Sequence, residues 1–237
     1  MKSDSRRWLG LIPLLILLLF LLRSLDIEAD DLASIRIPRE ILYDLYYSLT
    51  RVMVYSLVAW LSGIIAGYCL FKWKIIKALC LPLINYVRNI SPFAWLPFAI
   101  IWFGLGELPV AFIMLITLFF PVILATAGFF AQTPQEYIDE AIVSGATHWQ
   151  ILVKIRLPLN LINLVHLYRI IWGLAWSTII AAEMLGVHNG LGFRLLDLRY
   201  LLKYPEMLFY LFCMGLCGIL ADWGLNSLIT YFRSKYL

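Results

Sequence analysis

Long apolar runs separated by short polar segments dominate this sequence. A helix needs about 20 apolar residues to cross the roughly 30 Å of hydrocarbon in a bilayer. The third run is interrupted by Arg88, Pro92 and Pro97. The pattern predicts an all-α polytopic membrane protein with about six transmembrane helices. These spans are expected near residues 8–25, 49–71, 81–103, 108–131, 161–185 and 206–231.

The first apolar run follows Lys2, Arg6 and Arg7 and in that respect resembles a signal peptide. Its apolar core is long, however, and no small-residue cleavage site follows it, so we expect a retained anchor helix. We treat residues 1–237 as a single transmembrane domain. Its parts are an anchor helix with an extracytoplasmic loop (1–45), a core (46–237) and, within the core, a polar loop (133–158).

The charged residues between the predicted spans set the orientation. Basic residues collect on cytoplasmic segments of membrane proteins, which predicts that both termini and the 133–158 loop are cytoplasmic. The loop after the fifth span carries Arg194, Arg199 and Lys203 and departs from this rule. The inside residues are Lys2, Arg6, Arg7, Lys72, Lys74, Lys77, Arg233 and Lys235, and the outside residues are Asp26, Glu28, Asp30, Asp31 and Glu107.

Composition excludes several classes of function. The chain is 62% hydrophobic and 14% charged, whereas a soluble domain is nearer half apolar and a quarter charged. No phosphate-binding loop, H-E-x-x-H zinc motif or G-x-S-x-G nucleophile elbow is present, and the three histidines are widely spaced. We therefore expect no catalytic, cofactor or metal site in this chain. Nucleic-acid binding is not expected either, because the basic residues are spread over the membrane edges.

The polar loop at 133–158 has the signals of two short helices. Thr133 and Pro134 form a helix start, and Gly145 can end the first helix in a left-handed conformation. Thr147 begins a second capping pattern, and Pro158 is expected to end that helix. The loop therefore predicts a bent pair of amphipathic helices on the inner face. A helix pair that only caps the spans is the alternative from spacing alone.

The sequence of this loop, "DEAIVSGATHWQILVKIRLP" (139–158), resembles the EAA loop of bacterial ABC-importer permeases. The family pattern is E-A-A-x-x-x-G-A, followed after about nine residues by a hydrophobic residue, any residue, Leu and Pro. Asp139 stands where the family has Glu, and Glu140 stands where it has the first Ala. The other residues that keep the spacing are Ala141, Gly145, Ala146, Leu157 and Pro158.

Two further motifs resemble the nitrate/sulfonate/taurine-type branch of these permeases. They are "RNISPFAWLPFAIIWFGLGE" (88–107) and "GLAWSTIIAAEMLGVHNGLGF" (173–193). The resemblance covers roughly residues 50–232. It implies a type I importer permease fold in a bacterial inner membrane, in which the 133–158 loop is the coupling loop. The chain itself would not be an enzyme.

The resemblance also implies partners and a mechanism. A second permease copy, expected to form a homodimer, would complete the pathway, and separate subunits that bind ATP and Mg would dock on the coupling loops. An extracytoplasmic binding protein would deliver the cargo for transport by alternating access. The branch suggests a small anion such as nitrate, a sulfonate such as taurine, or bicarbonate. Pyrimidine vitamin precursors are the alternative cargo within it.

Ionisable and helix-breaking residues inside the spans are candidates for the substrate pathway. Charges in spans usually face a cavity or a partner. Arg88 and Arg169 could attract an anion, but the sequence favours the alternative that each pairs with a carbonyl or reaches the inner headgroups. Ser91 and Pro92 interrupt the third span. Glu183 could form a salt bridge across a dimer, support a gate or repel wrong cargo.

A transporter or channel driven by an ion gradient is the main rival interpretation. It predicts acidic residues near the middle of the membrane. Only Glu183 and Asp222 lie inside spans, and neither is central. This rival also gives no reason for the bent helix pair at 133–158.

Overall fold

The computed structural model describes residues 40–236, so the anchor expected at residues 8–25 lies outside the described residues. The described part is helical, and no strand occurs within it. A π-helical turn, Leu152–Arg156, joins the short helix His148–Ile151 to the long helix Leu157–Gly186. The helices are α1 (Ile41–Lys72), α2 (Lys74–Arg88), α3 (Pro92–Phe103), α4 (Glu107–Ala131), α5 (Gln135–Val143), α6 (His148–Ile151), α7 (Leu157–Gly186), α8 (Leu191–Tyr200) and α9 (Tyr204–Tyr236).

Four helical segments of the described part are long and apolar enough to cross a membrane. They are Ile41–Lys72, Glu107–Ala131, His148–Met184 and Tyr204–Ser227. The third of these combines α6, the π turn and most of α7. Together with the α2–α3 region and the expected anchor, these segments agree with the all-α polytopic prediction.

The third predicted span is not one helix. The chain leaves the helical conformation at Asn89–Ser91, and Ser91 is extended, with φ −57° and ψ 135°. The proline ring of Pro92 disfavours a helical conformation at the residue before it, which accounts for the break. Pro97, by contrast, lies inside α3. Two shorter helices therefore replace the single span that hydropathy predicts.

Helix α4 lies at the centre of the described fold. Its residues Met114, Leu118 and Val122 are fully buried, and α1, α7 and α3 pack around it. Helix α9 is mostly exposed over Tyr204–Ser227. A large apolar surface on an isolated chain marks contact with lipid or with another protein. The packing therefore places α4 inside and leaves α9 for such contacts.

Two glycines allow α1 to approach α4 closely. A Cβ added at Gly63 would lie 2.6 Å from the side chain of Val122. One added at Gly67 would lie 2.7 Å from the Thr126 side chain and 2.8 Å from the carbonyl oxygen of Ile123. Small residues commonly permit such contacts between transmembrane helices. The G-x-x-x-G spacing on α1 therefore sets the distance between the two helices.

Gly67→Ala is expected to destabilise the protein by about 1–3 kcal/mol, because the new methyl group meets backbone that cannot move independently. Thermal unfolding of the full chain in detergent measures the effect. Gly128→Ala is the matched control, since a Cβ there meets nothing within 4 Å and alanine favours a helix. Equal stability of the two variants would contradict the close α1–α4 contact.

Candidate functional site

The loop between α4 and α7 forms a bent pair of helices, here called the knob (residues 135–156). Gly145 has φ +80°, in the left-handed region. Its N–H donates to the carbonyl of Ile142 at 2.9 Å, and the Ala146 N–H donates to that of Ala141 at 2.9 Å. This pair of backbone hydrogen bonds is a common way to end a helix at glycine. The helix–glycine–helix prediction is confirmed.

Of the two predicted helix starts in the knob, the second is confirmed and the first is wrong. The Gln150 N–H donates to the Thr147 hydroxyl, and the Thr147 N–H donates to the Gln150 side chain at 2.8 Å, which confirms the second capping pattern. The expected cap at Thr133 is wrong, because α5 begins at Gln135 without a side-chain cap. The Thr133 hydroxyl is buried and accepts instead from the Asn160 amide at 3.1 Å.

Pro158 does not end the second helix, contrary to expectation. A proline inside an α-helix lacks an N–H, and its ring collides with the carbonyl four residues earlier. The π turn just before it widens the register, so that the Leu157 N–H donates to the carbonyl of Leu152. The helix therefore continues from His148 to Met184 over 37 residues. The second half of the knob is an extension of α7, and Pro158 does not separate the two.

The base of α7 is fastened to two other spans. The Arg156 guanidinium donates to the carbonyl of Phe130 at 3.1 Å and lies 4.4 Å from the centre of the Phe71 ring. Asn160 adds the bond to Thr133 described above. These contacts join α7 to the ends of α4 and α1 next to the knob. Sequence analysis missed both residues, because neither lies in a helix-start or helix-stop position.

The surface of the knob combines polar and apolar groups. Asp139 and Glu140 are exposed, and Asp139 accepts from the Gln135 side chain at 2.9 Å. Val143 and Trp149 are largely exposed. Leu157 is half-buried beside the π turn. An open groove of about 500 Å³ runs between α5 and the start of α7, lined by Tyr137, Glu140, Ala141, Ser144, Lys154, Ile155, Pro158 and Leu159.

At the opposite end of α7, a buried ionic cluster joins three helices. We call Ser48, Arg51, Glu107 and Glu183 the clasp. The Arg51 guanidinium donates to Glu183 at 2.7 Å and to Glu107 at 2.9 Å. The Ser48 hydroxyl lies 2.8 Å from both Glu183 oxygens. Glu183 is 0% exposed and Arg51 4%. The salt bridge of Glu183 is therefore made within this chain.

The segment after α7 wraps around the clasp. The Gly192 N–H donates to Glu183 at 3.0 Å, and the Leu191 N–H donates to Ser48 at 2.9 Å. Gly190 has φ +105°, and a Cβ there would lie 2.5 Å from the Glu183 carboxylate. Only glycine fits at this position, both for its backbone conformation and for space.

A second ion pair holds α8 beside α1. Arg194 donates to Asp44 at 3.1 Å, and Asp44 is almost fully buried. Burial disfavours the charge on Arg194, which lies outside the spans. The hydrogen bond and the charge of Asp44 outweigh this effect and raise the pKa of the guanidinium. Asp44 and Arg194 are 150 residues apart in sequence, so no local pattern could have revealed the pair.

The five candidate pathway residues fall in three places. Arg88, Ser91 and Pro92 lie at the α2–α3 break, and Glu183 lies in the clasp. Arg169 donates twice to Asp222, with both distances 2.6 Å. This forked geometry is the strong form of an arginine–carboxylate pair. Arg169 thus pairs with a carboxylate within the chain, and Arg88 and Arg169 line separate cavities.

Comparison with known proteins decides the family. Residues 59–236 match the family described as "Binding-protein-dependent transport system inner membrane component". The chain belongs to this family of ABC importer permeases. Members are transport permeases and not enzymes by themselves. Within residues 40–236, no group of three or more His, Cys, Asp or Glu residues is placed to hold a metal ion.

Relatives of the permease include proteins named for the transport of taurine, nitrate and bicarbonate. The taurine transport system permease protein TauC of Escherichia coli is 30% identical, and the match covers 76% of this chain and 66% of TauC. The nitrate import permease protein NrtB of Leptolyngbya laminosa is 30% identical, with 79% and 66% covered. The bicarbonate transport system permease protein CmpB of Synechococcus elongatus is 32% identical, with 74% and 63% covered. The permease thus spans about two thirds of the length of these relatives.

The fold of the permease matches a solved transporter. A chain of the MetNI methionine ABC transporter, in an inward-facing conformation, superposes with a TM-score of 0.70 at 17% identity. The match covers 83% of the permease and 99% of that chain. This likeness establishes the ABC importer permease fold.

Proposed function

We propose that this chain is the membrane-spanning subunit of an ATP-driven importer that moves a small anion by alternating access. ATP and Mg are bound by a separate subunit that docks on the knob, and a substrate-binding protein docks on the opposite face. A second permease copy completes the pathway. The observation that carries this proposal is the exposed knob, whose second helix continues without a break into α7.

The knob has the surface expected of a docking site. Val143 and Trp149 are the most exposed of the apolar side chains on the knob, and the groove between α5 and α7 lies on the same knob. Exposed aromatic and apolar groups of this kind are frequent anchors in protein interfaces. The acidic pair Asp139 and Glu140 adds charge at the edge of the same surface. A nucleotide-driven subunit could therefore bind here.

The path from the knob to the far side of the membrane is a single helix. A 37-residue helix is roughly 55 Å long, enough to cross the bilayer. Arg156 and Asn160 fasten its base to α4 and α1, and the clasp fastens its other end to the same two helices. These helices can consequently turn together as a rigid body when the knob is displaced.

The anion is inferred from the relatives, which carry names of taurine, nitrate and bicarbonate systems. We further propose an inner-membrane location with both termini in the cytoplasm. The knob would then face the cytoplasmic ATP-binding subunit, and α8 and the clasp would face the binding protein. The distribution of basic residues supports this orientation.

Isolation of the tagged full chain from its native membrane in mild detergent tests the proposal. A stoichiometric ATP-binding subunit is expected to co-purify. Trp149→Ala should reduce its yield about threefold or more, because large aromatic residues contribute strongly to interfaces. Trp223→Ala is the matched control, since Trp149 and Trp223 are both 71% exposed but Trp223 lies on α9.

A different result would favour the rival transporter. If the chain purifies alone and still moves solute into liposomes without ATP, it is not the subunit of an ATP-driven importer. If both tryptophan variants retain the ATP-binding subunit fully, that subunit docks elsewhere than on the knob.

A further inference from the structure

A cavity of about 300 Å³ lies where the broken third span meets α4 and α7. Its polar lining consists of Arg88 at the end of α2, Trp95 on α3, Thr117 on α4 and Thr178 on α7. The rest of the wall is apolar and includes Pro92. Pockets for small molecules begin at about 300 Å³, so this one suits a ligand of few heavy atoms.

The cavity presents two hydrogen-bond donors that have no acceptor in the described part of the chain. The Arg88 side chain forms no hydrogen bond or ion pair with another side chain or backbone group that the structure describes. The indole N–H of Trp95 is buried and likewise has no acceptor there. A buried donor without an acceptor is unfavourable, and such groups are rare in folded proteins. The buried Trp95 N–H is thus an unpaired donor in the wall of the cavity, whereas the Arg88 side chain is exposed in the single chain and open to a ligand.

The lining of the cavity contains no carboxylate, so nothing in its wall neutralises Arg88. This differs from Arg169, which is paired with Asp222, and from Arg51, which is paired with Glu183 and Glu107. Arg88 thus has no carboxylate partner among the described residues, and it also lacks the carbonyl partner that Arg156 has. A guanidinium favours planar oxyanions, which it can bind through two parallel N–H groups.

The two threonines act differently from Arg88 and Trp95. The Thr117 hydroxyl donates to the carbonyl of Ile113 at 2.7 Å, and the Thr178 hydroxyl donates to that of Leu174 at 2.8 Å. Their protons are therefore used within their own helices, whereas their oxygens can still accept a hydrogen bond. The cavity thus combines N–H donors from α2 and α3 with hydroxyl acceptors from α4 and α7.

The break in the third span gives the cavity its polar wall. Because the helix is broken at residues 89–91, Arg88 ends α2 and Pro92 begins α3, and both residues line the cavity. Irregular backbone at membrane depth is tolerated where it is enclosed by protein or lines a cavity. The proline-induced break and the unpaired arginine are therefore features of one site.

We propose that this cavity binds the anionic cargo during transport, with the Arg88 guanidinium and the Trp95 indole N–H holding an oxyanion. This inference rests on the proposed function and names a site for it. Where the cargo also carries a hydrogen-bond donor, such as an ammonium group, the threonine oxygens accept from that donor. Where the cargo has no donor, the threonines only contact it. The α2–α3 region forms one wall of the site and α4 with α7 forms the other, so the two walls change their relative positions if α4 and α7 turn together.

Transport by the complex of full-length permease, ATP-binding subunit and binding protein in proteoliposomes tests the site. Nitrate, taurine and bicarbonate are the probes, each over a range of concentrations. Arg88→Ala is expected to raise the KM for the transported anion about tenfold or more, and Arg88→Lys should restore part of the loss. Trp95→Phe keeps the ring beside Phe112 but removes the N–H, and it should raise KM about threefold.

The control removes a similar charge outside the cavity. Lys77 lies on the same helix, about three turns before Arg88. The Lys77→Ala variant should leave the KM for the anion unchanged. ATP hydrolysis by the assembled complex is measured for every variant, which shows that each one folds and assembles. If Arg88→Ala fails to assemble, Trp95→Phe and Arg88→Lys still report on the site.

The possible failures are distinguishable. If wild-type complex takes up an anion in an ATP-dependent manner but the Arg88 and Trp95 variants keep its KM, the cargo binds elsewhere and this site is overturned. If the wild-type complex takes up none of the three anions with ATP, the proposed anion import is overturned and the site with it.

Discussion

Arg51→Leu is expected to destabilise the protein by about 3–5 kcal/mol, the largest effect on stability of any single substitution proposed for this chain. Glu183 is 0% exposed, and in this variant it would keep only the Ser48 hydroxyl and the Gly192 N–H. Two neutral donors do not replace the charge of a guanidinium beside a fully buried carboxylate. Either the carboxyl takes up a proton, or the ends of α1 and α7 separate.

Glu107→Gln is the matched control for this prediction. Glu107 also pairs with Arg51 but is 54% exposed, so water can replace the lost charge. Its loss should change stability by about 1 kcal/mol or less. Unfolding of the full-length chain in detergent measures both variants. Similar destabilisation by the two substitutions would mean that the burial of Glu183 does not determine how much the clasp contributes to stability.

The double variant Arg51→Leu/Glu183→Leu separates charge from packing. Replacing both members of a buried ion pair with apolar residues is often close to neutral, whereas removing one member is not. The double variant should therefore recover most of the stability lost in Arg51→Leu. Glu183→Leu is measured alone to complete the cycle, and a double-variant loss equal to the sum of the two single losses would show that the pair has no energetic coupling.

Gly145→Val is expected to reduce ATP-dependent uptake about tenfold or more while leaving membrane insertion intact. Gly145 has φ +80°, where a β-branched residue is a strong outlier. Forcing an L-residue into this region takes roughly 1–2 kcal/mol, enough to lower the population of the correctly bent knob by about tenfold. The ATP-binding subunit would then meet a misaligned surface.

Gly145→Asn provides the matched control. Asparagine adopts left-handed backbone more readily than other non-glycine residues and also ends helices in this way. A Cβ at Gly145 meets nothing within 4 Å, so the two variants differ in backbone preference and not in a clash at this atom. Uptake and the yield of co-purified ATP-binding subunit should stay near wild type in this variant. Equal uptake in the valine and asparagine variants would argue against a role for the bend in coupling.

These two predictions concern opposite ends of the same helix. The second half of the knob is an extension of α7, and the clasp holds the last turns of α7 against α1 and the start of α4. The Gly106 N–H also donates to the carbonyl of Gly186 at 2.6 Å, next to the clasp. Displacement of the knob would consequently move α7 as a rigid helix, whose far end is held by the buried Arg51–Glu183 pair.

Local sequence signals were sufficient for much of the fold. The fourth span was expected at 108–131 and is observed as Glu107–Ala131. The capping box at Thr147 and the stop at Gly145 were also readable, because each depends on atoms within a few residues. Pro158 was misread because a proline in isolation indicates a stop. Its helix continues only because the π turn at Leu152–Arg156 relieves the clash.

What the sequence determined by itself was the set of apolar helices and the bent knob, since hydrophobic length, helix caps and glycine act over short distances along the chain. Only the tertiary structure decided which charges meet. Arg51 and Glu183 are 132 residues apart, and Arg169 and Asp222 are 53 apart. Whether Arg88 stays unpaired likewise depends on how α2, α3, α4 and α7 pack. Packing brings distant side chains within 3 Å, and no pattern of neighbouring residues contains that information.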